Sequence, residues 1–120
     1  MDIEYRAGER RDSGKIAEMI DIASDGVVEY LFHDLVPGFS PVEIMAANLT
    51  NDKYPYTYKS TIVACDGDEM VGMALSYPSR YHNITDEMRR FFPKDRLTHF
   101  NHFYAARVEN SWFLDALCVV

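Results

Sequence analysis

Two apolar runs joined by three turn-forming residues constrain this chain more than any other feature. In "STIVACDGDEMVGMALSYP" the apolar segments flank Asp66-Gly67-Asp68, a combination that predicts a β-hairpin with a tight turn. Pro78 ends the second strand, because it has no N–H to offer a ladder. A two-stranded hairpin is marginal by itself and needs more strands or a covering helix. The rest of the chain must supply them.

The flanking segments read as such partners. "DIEYRA" alternates Ile3, Tyr5 and Ala7 against Asp2, Glu4 and Arg6, the period of a half-buried strand. A helix over 12–24 follows, with Asp12 or Ser13 as its cap and Ile16, Met19, Ile20 and Ala23 on one stripe. Asp25-Gly26 breaks it. After the aromatic stretch "VVEYLFHDLVPGFS", Ser40, Pro41 and Glu43 mark the start of a helix over 40–50, by N-cap, first-turn proline and capping box. "TNDKYPYTYK" reads as a polar loop. Residues 79–110 read as mostly helical, capped at Thr85, broken at Pro93, with Leu97, Phe100, Tyr104 and Val108 on a second stripe.

The closing run Trp112–Val120 is apolar except for Asp115. It has the look of a central strand buried on both faces, a pattern found in parallel pairings. The predicted order is strand, helix, helix, strand, strand, helical insertion, strand. That is an α/β chain with a mixed (α+β) sheet of four strands, both early helices packed over it.

Composition narrows the function classes. A chain of 120 residues, 48% hydrophobic and 26% charged, is expected to form one domain over 1–120 with a substantial core. Nineteen acidic against twelve basic residues give a net charge of −7, which repels phosphate backbones and argues against nucleic-acid binding. No run reaches membrane-spanning length and the N-terminus has no apolar signal core, so a cytoplasmic protein without a membrane partner is expected. Cys65 and Cys118 stand in apolar runs without CxxC spacing and read as buried free thiols. His99 and His102 lack a third ligand, so no metal site is expected.

Two carboxylates could serve a site. His33-Asp34 could form a base and its orienting partner, although neighbouring residues point in different directions. Asp115 needs more explanation, since an unpaired carboxylate inside an apolar strand is costly. Either it meets solvent or a backbone partner, or it is held for a function.

Taken in order, these strings resemble the amino-terminal half of a GNAT-family N-acetyltransferase. "IEYRAGERRDSGKIAEMI" is similar to that family's first strand and helix. "IVACDGDEMVGMALSY", with Val71-Gly72, is similar to its second and third strands, and "FLDALCVV" to its fourth. The resemblance covers nearly all 120 residues and implies acetyl transfer from acetyl-CoA to a primary amine. It assigns the main chain at Leu117, Cys118 and Val119 to the pantetheine arm and thioester carbonyl. It assigns the acceptor pocket to the neighbourhood of Tyr30, Phe32, His33, Tyr77 and Asp115, with Asp115 as the base. The family's pyrophosphate loop, [RQ]xxGx[GA], and its later strands would follow Val120, so the resemblance implies a half-fold ending after the fourth strand. A non-catalytic binding module for a small ligand or protein, or an inactive remnant, is the alternative. An open apolar final strand further predicts a homo-oligomer through residues 111–120, pairing with themselves or with segment 27–36.

Overall fold

The computed structural model describes residues 2–120. Its sheet has four strands, β1 (Ile3–Ala7), β2 (Thr61–Asp66), β3 (Glu69–Pro78) and β4 (Trp112–Val119), side by side in chain order. The α/β class and strand order are as expected. The parallel pairing that β4 suggested is not found, because all three pairs are antiparallel. Each connection simply returns the chain beside the strand it left. In the β2–β3 hairpin, Gly67 takes φ 63° at the first of two loop residues, where a type II′ turn requires glycine.

Among the described residues six α-helices accompany the sheet: α1 (Ser13–Ser24), α2 (Val27–Phe32), α3 (Pro41–Leu49), α4 (Asp86–Phe91), α5 (Lys94–Thr98) and α6 (Asn101–Ala105). The α1 stripe forms as its spacing dictates. Ile16, Ala17, Met19 and Ile20 are buried against the face of the sheet that carries Val63, Met73, Leu75 and Cys118. Each such large apolar side chain contributes about 1.5–3 kcal/mol on burial. Asp25 (φ 50°) and Gly26 (φ 94°) then end α1 in left-handed conformations, and the aromatic stretch restarts as α2.

The expected capping box opens α3. Ser40 Oγ accepts from the Glu43 N–H at 3.2 Å, and Glu43 Oε1 accepts from the Ser40 N–H at 3.1 Å. Its main contacts are with α1 and α2 rather than with the sheet, which leaves Met45 half-buried beside the core. Asp12 holds the N-cap position of α1, but its side chain accepts nothing from that helix. Its carboxylate accepts from both Arg6 terminal nitrogens at 2.7 and 3.1 Å and from the Glu9 N–H at 2.8 Å, stitching β1 to the turn before the helix.

The second stripe is divided. Thr85 caps α4, accepting from the Met88 N–H at 3.1 Å, but the chain breaks again between α5 and α6. Leu97 is buried while Val108 is exposed. The expectation of burial on both faces of β4 also fails. Ala116 and Cys118 face the helices, but Leu114, Leu117 and Val119 lie on the other face at 54%, 59% and 80% exposure. Tyr5 and Ile62 share that uncovered face.

Candidate active site

The break in the β3–β4 ladder builds the site. Leu75 pairs with Ala116 and Ser76 with Leu114, so Asp115 is an extra residue with no partner opposite it. A bulge of this kind turns the added side chain away from the normal alternation. Phe113 and Ala116 already occupy the inner face, and Asp115 joins them there, beneath the helices.

Its carboxylate meets a tyrosine chain. Tyr77, fully buried on β3, donates its hydroxyl to Asp115 Oδ2. The Tyr77 and Tyr56 hydroxyl oxygens lie 3.3 Å apart, and the two rings meet edge to face at 5.8 Å. Tyr56 is held by the loop after α3, where the buried Thr57 donates its hydroxyl to the Asn51 carbonyl at 2.6 Å. Burial raises the Asp115 carboxyl above its ordinary pKa, against the opposing pull of the Tyr77 hydrogen bond and of His82. Burial first, and the Asp115 charge with it, raises Tyr77 as well. Tyr56 and Tyr104 are raised mainly by burial. The tyrosines are therefore neutral donors and Asp115 is the one proton acceptor among them.

His82 closes the inner end. It is fully buried, stacked on Phe113 at 3.8 Å, and donates through Nε2 to the Phe103 carbonyl at 2.9 Å. Nδ1 is left without a partner among the described residues.

In front of Asp115 lies a cavity of about 350 Å³, within the usual size of small-molecule sites. Its floor is Leu75 and Asp115; Ile20 of α1, Phe32 of α2, and Met45 and Leu49 of α3 form one wall. Met88 and Phe91 of α4, with the adjoining Phe92, form the other. At the rim, Lys53 and Glu87 also line the cavity and pair with each other.

The residues singled out in the sequence divide into two groups. Phe32 and Asp115 line the cavity, and Tyr77 lies behind Asp115, hydrogen-bonded to it. Tyr30 and His33 lie apart from it, against the α5–α6 segment. Tyr30 packs on His99 at 5.3 Å and on Phe100 at 5.7 Å. His33 Nδ1 donates to the Tyr30 carbonyl at 2.9 Å, and its Nε2 accepts from Arg96 at 3.3 Å. Tyr56, Tyr104, His82 and the α4 wall were not singled out; the repeated tyrosines of "YPYTY" were the one available signal.

The main chain of β4 divides by direction. The Val120 N–H donates to the Val71 carbonyl at 2.9 Å. The Cys118 carbonyl lies 3.0 Å from where a Cβ on Gly72 would stand. Both therefore point at β3, and alternation aims the main-chain groups of Leu117 and Val119 at the open edge of the sheet. The Cys65 and Cys118 thiols are free and buried. Among the described residues no group of three or more His, Cys, Asp or Glu could hold a metal ion, and no helix is long and apolar enough to cross a membrane.

Two solved structures share this fold. One is an acetyltransferase, 21% identical, superposing with a TM-score of 0.58 over 97% of this chain. The other is an N-acetyltransferase from Staphylococcus aureus Mu50, 14% identical, with a TM-score of 0.64 over 98% of this chain. The fold is that of the acetyltransferases. The chain spans 62% and 65% of those two proteins, so it matches the acetyltransferase fold over a part of each. No family model and no curated protein matches the sequence.

Proposed function

We propose that the protein transfers an acetyl group from acetyl-CoA to a primary amine, as a GNAT-type N-acetyltransferase. The observation that carries this reading is the position of Asp115. A bulge sets a proton-accepting carboxylate at the floor of an apolar cavity, two residues before Leu117, whose main-chain groups face the open edge of the sheet.

The chemistry divides between those two features. An amine enters as its ammonium form and must lose a proton before it can attack. Asp115 takes that proton, and its raised pKa makes it a better base than an ordinary carboxylate. The amine lone pair then attacks the thioester carbonyl, forming the C–N bond. Main-chain N–H groups at Leu117 or Val119 would hold the oxyanion that develops. Collapse breaks the C–S bond, the CoA thiolate leaves and takes up a proton, and the amide is released. Tyr77 keeps the carboxylate aimed throughout.

The test is release of free CoA thiol from acetyl-CoA in the presence of a panel of primary amines, with the acetylated product identified by mass. Amine-dependent thiol release that falls at least about tenfold in Asp115→Asn is the expected result. Amine binding without any product would instead make the protein a binding module.

A further inference from the structure

We propose that the acceptor is a monoamine on an apolar body, an aryl- or alkyl-substituted amine with no second charge; this rests on the cavity being the acceptor site of the acyl-transfer reading. The charges lining the cavity decide it. Three ionisable side chains of full charge reach the lining: Lys53, Glu87 and Asp115. Lys53 and Glu87 are paired with each other at the rim. Asp115 is left as a carboxylate whose Oδ2 accepts from a neutral hydroxyl, while Oδ1 has no protein donor among the described residues. One cation is matched and no more.

Other common amine classes meet a mismatch. An amino acid or peptide terminus close to a carboxylate would bring an anion into a space where the one lining cation is already engaged by Glu87. A diamine or polyamine would bring a second ammonium into a lining whose other carboxylate, Glu87, is already held by Lys53, and burying a charge without a counter-charge is strongly unfavourable. An apolar body faces none of this. It replaces water against Ile20, Phe32, Met45 and Leu49, and the two methionines can adapt to its shape. Discrimination of this kind comes from the groups a wrong ligand leaves unpaired.

The experiment is calorimetric titration of the protein, without acetyl-CoA, with four probes that differ in charge and in apolar body. Phenethylamine has the body and one charge, 2-phenylethanol the body alone, phenylalanine an added carboxylate, and 1,4-diaminobutane two charges without the body. Phenethylamine is expected to bind best, with phenylalanine and diaminobutane at least about tenfold weaker, the scale of one charge-assisted hydrogen bond. Asp115→Asn should cost phenethylamine about the same factor and leave 2-phenylethanol unchanged, an outcome that a merely structural effect would not give. Equal or tighter binding of phenylalanine or diaminobutane overturns the proposal. So does an Asn variant that binds phenethylamine unchanged, or a folded protein that does not bind it at all at about 1 mM. If phenethylamine binds through Asp115 but is never acetylated, the acyl-transfer reading falls and with it the role of acceptor, while the preference of the cavity for an apolar monoamine stands.

Discussion

The Tyr77 hydroxyl donates across the β3–β4 pair to Asp115, the residue that the ladder leaves unpaired. Removing that donor leaves a buried carboxylate with less compensation. Tyr77→Phe is therefore expected to cost about 1–3 kcal/mol of stability, measured by urea unfolding at pH 7. It should also move the Asp115 carboxyl further upward, followed as a ¹³C carboxyl titration. An unshifted Asp115 titration would show that the hydroxyl does not set its proton affinity.

Asp115 makes the protein's stability fall with pH over an acid window. Its folded pKa lies above the ordinary 3.8, because burial penalises the charge. The contribution is fully present below 3.8 and is lost as pH rises through the folded value. Asp115→Asn escapes that loss while its amide oxygen can still accept from Tyr77. The variant should be more stable than the parent at pH 7, with the difference shrinking on acidification towards pH 3.8. Thermal unfolding at a series of pH values measures it, and a variant less stable at pH 7 would contradict the argument.

Asp12 has the opposite sign. Its hydrogen bonds with Arg6 hold the carboxyl below 3.8, so its contribution is present above 3.8 and is lost as pH falls through the folded value. With the carboxylate nearly buried and Arg6 about one-third exposed, Asp12→Asn is expected to cost about 1–2 kcal/mol at neutral pH. The cost should close in acid. Chemical denaturation at pH 7 and pH 3 compares the two. An equal deficit at both would mean that the loss came from packing.

The uncovered face of β4 should associate. Leu114, Leu117 and Val119 are exposed there, beside an unpaired strand edge, and such a surface favours pairing with a second copy. Light scattering is expected to find a dimer or larger species through residues 111–120, and Leu117→Lys should shift it towards monomer. A concentration series that shows monomer throughout would dispose of this.

How much of this was legible in the sequence depended on whether the signal was local. The β2–β3 hairpin and the α3 start were readable because Gly67 and the Ser40–Glu43 box act within a few residues. β4 misled, because its outward-facing residues Leu114, Leu117 and Val119 are as apolar as the inward-facing ones, so "FLDALCVV" shows no alternation of apolar and polar. A bulge at Asp115 also hides the period that Leu114, Leu117 and Val119 otherwise obey. The cavity was less legible still. Its α4 wall and Tyr56 reach Asp115 only through tertiary packing, so "TNDKYPYTYK" read as polar loop. Tyr30 and His33 sat near the right helix in sequence, but α2 turns them towards Arg96 and Phe100 and away from the floor.

The unpaired status of Asp115 has a consequence for how this protein can change. Drop residue 115 from the count and the remainder of β4 alternates without a fault: 113 inward, 114 outward, 116 inward, 117 outward, 118 inward. The strand therefore carries one letter more than its sheet requires. A deletion at that position would take out the bulge and leave every other side chain on its own face, whereas a change of length elsewhere in a strand flips the side chains beyond it. Loss of residue 115 would remove the carboxylate while the main-chain groups of Leu117 and Val119 keep their direction. The fold has separated the proposed base, which the ladder leaves out, from the main-chain groups proposed to hold the oxyanion, which belong to its paired part.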